Sequence, residues 1–119
     1  MSESDVLDQS ALGRLQEWGG DKLLAQMIRL FLENAPNRMA QIRAGIGAGD
    51  VKESEKGAHS LKSSAANVGA MHVRDLAAQI ERAAGGGDAA TVNEIFPTLE
   101  TVFAQAVAAL ETVEKGLNT

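Results

Sequence analysis

Cysteine is absent from this 119-residue chain, which excludes disulfide bonds and thiolate metal sites. Tyrosine is also absent, and aromatic residues make up only 3% of the sequence. Alanine is abundant and β-branched residues are scattered, a composition that favours helices over sheet. No apolar run approaches the roughly 18 residues that a membrane-spanning helix needs.

Positive charge is in the minority, with 11 Lys and Arg against 16 Asp and Glu, for a net charge of −5. Nucleic acids and anionic membranes bind basic surfaces, so this balance argues against both as partners. The acidic, polar residues 1–5 are unlike a secretory signal peptide. We therefore expect a cytoplasmic protein, and the length indicates a single domain.

Apolar residues recur at helical spacing along most of the chain. The stripe that starts at Leu24 keeps its phase across Pro36, which predicts one bent helix over about 22–47. Further amphipathic helices are predicted over about 51–67 and 71–84, and from 89 onward. A capping box at 50–53 and glycines at 69 and 85–87 mark their ends.

A short helix from Asp8 to about Glu17 precedes them, and we expect Trp18 beyond it to form a lid over one end of the bundle. Short turns make sequential helices antiparallel. The predicted fold is therefore all-α, an up-down-up-down four-helix bundle with a short extra N-terminal helix. The predicted organisation is a flexible arm over 1–7, a single bundle over 8–115 and a frayed tail over 116–119.

His59 stands out because it points away from the apolar stripe of its predicted helix. Lys56, Lys62 and Ser63 lie at i−3, i+3 and i+4 from it and share its face. A neutral imidazole is a good nucleophile near neutral pH, and the cations favour an anion such as a phosphoryl group on its ring. This pattern predicts a reactive histidine exposed on a rigid helix.

Other site chemistries fit these residues poorly. Metal sites usually need several ligands, and Glu55 is the only carboxylate nearby along the helix. A hydrolytic triad needs an oxyanion hole in a concave pocket, which a convex helix face does not supply. We expect neither a cofactor nor a metal on this chain, and we interpret His72 as a surface or boundary residue.

Residues 58–70 read Ala-His-Ser-Leu-Lys-Ser-Ser-Ala-Ala-Asn-Val-Gly-Ala. They resemble the signature of histidine-containing phosphotransfer (HPt) domains, which is Ala-His-x-Leu-Lys-Gly-Ser, then small residues, an apolar residue and Gly-Ala. The resemblance covers about 7–113 and includes the segment 31–36 and the Gly-Asp turn at 49–50. It implies a four-helix bundle, in agreement with the periodicity.

The resemblance also implies a function. His59 would accept a phosphoryl group and exchange it with the aspartate of response-regulator receiver domains, in a phosphorelay that includes a hybrid sensor histidine kinase. Lys62 would help hold the phosphoryl group, and Ser64 would hydrogen-bond near the ring or brace the turn. Ser63 lies on the face of His59, so we expect its hydroxyl to stabilise the phosphoryl group as well. The expected docking face comprises Glu55, Lys56, Asn67 and Glu81.

The same resemblance limits what this chain contributes. The receiver domain would supply Mg²⁺, and the chain would bind no ATP. We therefore expect a monomeric phosphocarrier, a phosphoprotein rather than an autonomous enzyme. The initiating Met1 and the short tails favour a free-standing protein over a domain excised from a hybrid kinase.

Ser63 departs from the family pattern, which usually has glycine there so that a receiver can approach closely. The serine would narrow partner choice, slow transfer or contribute a hydrogen bond, and the sequence leaves these three open. An alternative function is a helical adaptor that binds a receiver or kinase and regulates it without phosphotransfer. A third is a metal-binding or hydrolytic bundle.

Overall fold

The computed structural model describes residues 6–117. Within that range the chain forms four helical elements and no strand: α1 Gln9–Ala48, α2 Val51–Asn67, α3 Met71–Gly85 and α4 Ala89–Leu117. Each helix packs against the next, and α1 also packs against α4, which closes the bundle. The predicted all-α bundle is confirmed. None of the described helices combines the length and apolarity that a membrane crossing requires.

The first helix contains the predicted break. Gly19 has φ −148° and ψ 15°, and Gly20 has φ 67° and ψ −166°, so the backbone leaves the helical conformation between two helical segments. A positive φ costs little only for glycine, which is why the break falls here. Beyond it, α1 continues through Pro36 to Ala48, as the apolar stripe predicts.

The segment before the break lies across the turn between α2 and α3. The backbone N–H of Asp8 donates to the Gly69 carbonyl at 2.7 Å, and the Asp8 side chain caps α1 by accepting from the Ser10 N–H. Gly69 has φ +74°, and a Cβ there would lie 2.7 Å from the Asp8 carbonyl oxygen. Both the turn and the contact with the N-terminal segment therefore depend on glycine at this position.

The two ends of the predicted bundle reach further than expected. Residues 1–5 of the predicted arm lie outside the described residues, but Val6 packs against the core and Leu7 is buried within it. At the other end, α4 continues past Lys115 to Leu117, which also packs against the core. Residues 118–119 of the predicted tail lie outside the described range.

Trp18 does not form the predicted lid. Its side chain is 72% exposed, because the chain turns at Gly19 and Gly20 immediately after it and leaves the ring in solvent. Smaller residues of the first segment fill this end of the bundle instead. They are Leu7, Ala11, Leu12 and Leu15.

Close backbone contact between α1 and α2 fixes the orientation of α2. The buried hydroxyl of Ser54 donates to the Ile42 carbonyl at 3.1 Å. A Cβ on Gly45 would lie 2.7 Å from the Ser54 backbone nitrogen, and one on Gly57 would lie 3.0 Å from the Arg38 carbonyl oxygen. Because glycines allow this approach, α2 presents one side to the core and the opposite side to solvent.

Candidate functional site

His59 lies on the solvent side of α2, as its position in the helical pattern predicts. Its side chain is 65% exposed, whereas Ala58 and Leu61 beside it are fully buried. The buried neighbours hold the helix in place, and the imidazole projects from a rigid surface.

Glu81 of α3 links His59 to Lys62. Its Oε2 atom lies 2.6 Å from His59 Nδ1, and its Oε1 atom accepts a hydrogen bond from Lys62 Nζ, also at 2.6 Å. The Glu81 side chain is 22% exposed and that of Lys62 is 36% exposed. One carboxylate therefore fixes two side chains of the adjacent helix, each through a different oxygen.

The electrostatics of this cluster favour an ionised Glu81. The hydrogen bond from Lys62 lowers the pKa of the carboxyl group, partial burial opposes this effect, and the hydrogen bond with His59 lowers the pKa further. A carboxylate can only accept hydrogen bonds, so the neutral imidazole must carry its proton on Nδ1 and donate it to Glu81. The lone pair is then on Nε2, which has no hydrogen-bond partner among residues 6–117.

The structure separates Lys56 from this cluster. Its Nζ atom lies 3.9 Å from Glu53 Oε1, one turn earlier on α2, and its side chain is 71% exposed. Helical spacing alone places both lysines beside His59. The two lysines differ in their acidic partners. Lys56 lies near Glu53, three residues before it on α2, whereas Lys62 binds Glu81 on α3.

The serines of the motif differ in their surroundings. Ser63, four residues after His59, is exposed, and its hydroxyl makes no hydrogen bond within the described part of the chain. Ser64 instead lines a groove against α1, with Asn34 and Asn67. Glu81 contacts α2 from α3, and within the described residues no hydrogen bond joins Ser64 to His59.

The remaining residues that the sequence singles out lie elsewhere on α2 and α3. Asn67 is exposed at the end of α2, in the groove against α1. The Glu55 carboxylate lies against the end of α3, since a Cβ on Gly85 would lie 2.9 Å from its Oε2 atom. His72 is exposed at the start of α3. Neither Glu55 nor Asn67 contacts the His59–Glu81–Lys62 cluster through a hydrogen bond or an ion pair.

The hydrogen bond between Glu81 and His59 is the feature that the sequence analysis missed. Glu81 was expected on the docking face, whereas it contacts the reactive histidine directly. The two residues are 22 positions apart on different helices, so no local spacing relates them. The available signal was the position of Glu81 directly after the buried Ile80, on the flank of α3 that a neighbouring helix partly covers.

This arrangement suits transfer of a group to an exposed nitrogen. It provides an oriented imidazole, an ammonium group nearby and open access, without walls that would enclose a small substrate. Residues 6–117 contain no cluster of three or more His, Asp or Glu side chains able to hold a metal ion.

Comparisons with known proteins agree with this geometry. A model of the family described as "Hpt domain" matches residues 26–113. No curated protein sequence matches the chain. A solved structure, histidine-containing phosphotransfer protein B (HptB) from Pseudomonas aeruginosa PAO1, superimposes with a TM-score of 0.87 at 24% sequence identity, covering 92% of this chain and 95% of that one. At this identity, the structural likeness supports the fold.

Proposed function

The chain belongs to the Hpt domain family, and from that premise we propose that His59 is its phosphoacceptor. Membership makes the chain a histidine phosphotransfer protein of two-component phosphorelays, working with response regulators and kinases, and this confirms the function predicted from residues 58–70. The proposal adds which atoms of this chain carry the phosphoryl group.

The hydrogen bond between His59 Nδ1 and Glu81 is the observation that carries the proposal. It fixes the tautomer and the ring orientation, as a carboxylate does for histidines in metal sites and catalytic triads. Nε2 then carries no proton, so its lone pair can attack phosphorus without a prior deprotonation. Because the ring is held before the donor arrives, less conformational freedom is lost when the partner binds.

We propose a direct transfer in which the bond between the receiver's aspartyl oxygen and phosphorus breaks as the bond between Nε2 and phosphorus forms. The aspartate leaves as a carboxylate, and the imidazole acquires positive charge. Glu81 stabilises that charge through the Nδ1 proton. The reverse step returns the phosphoryl group to a receiver aspartate, and we place the Mg²⁺ on the receiver.

Lys62 supplies positive charge to the phosphoryl group. An ammonium has three donors, and Glu81 accepts only one of the Lys62 hydrogen bonds. At a separation of about 4 Å, attraction between two unit charges ranges from about 1 kcal/mol in water to about 4 kcal/mol near a protein surface. Lys62 is partly exposed, so a value toward the lower end applies.

Ser63 is the hydroxyl that we assign to the phosphoryl group. It shares the face of His59 and has no hydrogen-bond partner within residues 6–117. Ser64 lines the groove against α1 and receives no role in the transfer. We further propose that the chain acts as a monomer in the cytoplasm.

A panel of purified receiver domains, each phosphorylated on its aspartate, tests the proposed function. The wild-type chain and the His72→Gln variant should become labelled, while His59→Gln should stay unlabelled with an unchanged melting temperature. Label that is retained in His59→Gln would contradict the assignment. A receiver that binds equally well to the wild type and His59→Gln, with neither labelled, would favour the adaptor.

A further inference from the structure

Ser63 is the exposed residue that follows His59 on the solvent side of α2. The exposed residues of this helix recur at spacings of three and four, and they are Lys52, Lys56, His59, Ser63 and Asn67. Helical residues four apart have Cβ atoms about 5–6 Å from each other, and helical side chains lean toward the N-terminal end. Ser63 therefore leans toward the turn that carries His59.

Lys62 and Ser63 lie on opposite sides of His59. At about 100° per residue, Lys62 is about 60° from His59 around the helix in one direction, and Ser63 is about 40° from it in the other. The side with Lys62 faces α3, because Lys62 Nζ donates to Glu81 at 2.6 Å. A phosphoryl group on His59 Nε2 would therefore lie between an ammonium group and a hydroxyl group.

The hydroxyl of Ser63 is available as a hydrogen-bond donor. In helices, serine and threonine hydroxyls can donate to the carbonyl four residues earlier. Thr101 and Thr112, both exposed on α4, do so at 3.3 and 3.1 Å. Ser63 makes neither this bond nor another within residues 6–117. A phosphoryl oxygen can therefore accept its proton without breaking a hydrogen bond of the described chain.

We propose that Ser63 shifts the phosphotransfer equilibrium toward the histidine by donating a hydrogen bond to the phosphoryl group on His59. This inference rests on the proposed function and adds its consequence for the direction of transfer. Transfer from a receiver breaks the bond between phosphorus and the aspartyl oxygen and forms the bond between phosphorus and Nε2, and return of the group reverses both changes. Ser63 keeps its proton in both directions. The chain therefore retains a larger share of the phosphoryl group than a chain with glycine at position 63.

The equilibrium constant distinguishes this role from a steric one. A side chain that obstructs docking slows transfer in both directions by the same factor, because both directions pass through the same complex. The equilibrium between the separate proteins is then unchanged. A hydrogen bond that exists only in the phosphorylated chain changes that equilibrium. The free hydroxyl beside His59 favours the hydrogen bond among the three effects that the sequence leaves open for Ser63.

The experiment measures how the phosphoryl group distributes between this chain and a receiver domain that labels the wild type, in the presence of Mg²⁺. The chain is labelled with phosphoramidate, a small phosphoryl donor that reports the reactivity of His59 without a receiver. Transfer is then started in each direction, the loss of label to hydrolysis is subtracted, and the two rates give the equilibrium constant. Thr101→Ala, which removes an exposed hydroxyl from α4, is the matched control.

Ser63→Ala removes the hydroxyl, keeps the Cβ atom and should shift the equilibrium toward the receiver about threefold to tenfold. A hydrogen bond to a charged group can have a larger effect, but water competes for a donor as exposed as this one. Ser63→Gly should shift the equilibrium by a similar factor, whereas Ser63→Thr retains a hydroxyl and should stay near the wild-type value. Thr101→Ala should leave the equilibrium unchanged, and every variant should keep the helical circular dichroism of the wild type.

Equal equilibrium constants for Ser63→Ala and the wild type would overturn the inference and leave the proposed function intact. Faster transfer by Ser63→Gly in both directions at an unchanged equilibrium would also overturn it, because Ser63 would then act sterically. An acid-stable label that is lost in Ser63→Ala would make Ser63 an acceptor of the phosphoryl group and contradict its role as a donor. Failure of phosphoramidate and of every receiver to label the wild type would instead contradict the proposed function.

Discussion

Glu81 on α3 accepts a hydrogen bond from His59 Nδ1 on α2 across 2.6 Å, while its other oxygen binds Lys62. The reactive histidine and the cation beside it are therefore oriented by a third residue from another helix. If this orientation sets the reactivity of Nε2, changes at Glu81 should alter chemistry without altering the exposure of His59.

Replacement of Glu81 by alanine should slow labelling of His59 by phosphoramidate roughly tenfold, within the range found when the hydrogen-bond partner of a functional histidine is removed. Glu81→Gln retains an acceptor oxygen, so its labelling rate should fall less. Asp75→Asn, a carboxylate change elsewhere on α3, is the matched control and should react at the wild-type rate. A Glu81→Ala variant as fast as Asp75→Asn would show that the carboxylate has no positioning role.

The two lysines near His59 should behave differently. Lys62→Ala removes the ammonium beside the phosphoryl group and should shorten the lifetime of the phosphohistidine or slow its formation by about threefold to tenfold. Lys56→Ala should have a much smaller effect, because Lys56 pairs with Glu53 and remains highly exposed. For both variants, the measurements are the rate at which phosphoramidate labels His59 and the rate at which that label is lost. Equal losses of rate in Lys62→Ala and Lys56→Ala would indicate a general effect of positive charge and would contradict the specific role of Lys62.

Stability should depend on pH through Glu81. The hydrogen bond from Lys62 lowers the pKa of Glu81 in the folded protein. The ionised carboxylate therefore contributes fully to the free energy of unfolding above the unfolded-state pKa of about 4.3, and this contribution is lost as the pH falls through the pKa of the folded state. Urea unfolding should show the wild type roughly 1 kcal/mol more stable than Glu81→Gln at pH 7. This difference in the free energy of unfolding should shrink toward pH 3. A difference that grew on acidification would contradict a lowered pKa for Glu81.

The contact between α1 and α2 should tolerate no side chain at Gly45. Gly45→Ala would place a Cβ against the Ser54 hydroxyl and 2.7 Å from its backbone nitrogen, and should cost about 2 kcal/mol. Gly47→Ala, in the same helix with nothing within 4 Å, should stabilise the protein by about 0.5–1 kcal/mol. Thermal unfolding measures both, and equal melting temperatures would contradict the close packing.

The helices could be predicted because local chemistry determines them. Asp8 and Asp50 cap helices through their own side chains, and Gly20 and Gly49 adopt positive φ where the pattern breaks. Each of these signals acts within a few residues. The exposure of His59 follows from its position opposite Leu61 on α2.

Features that depend on packing could not be predicted in this way. The sequence predicts that Trp18 covers the bundle, but the residue lies directly before the break at Gly19 and Gly20 and its ring is exposed. Lys56 has the correct helical spacing from His59, yet Glu53 binds it instead. The role of Glu81 depends on how α2 and α3 are rotated against each other. The packing of the two helices sets this rotation, and the sequence of neither helix predicts it alone.

Identification of the phosphorylated nitrogen tests the central claim most directly. Long-range ¹H–¹⁵N NMR spectra of the labelled protein, before and after phosphorylation by a receiver, distinguish Nδ1 from Nε2. We predict that free His59 carries its proton on Nδ1 and that the phosphoryl group appears on Nε2 of the same ring. A phosphoryl group on Nδ1, or on any residue other than His59, would contradict the account.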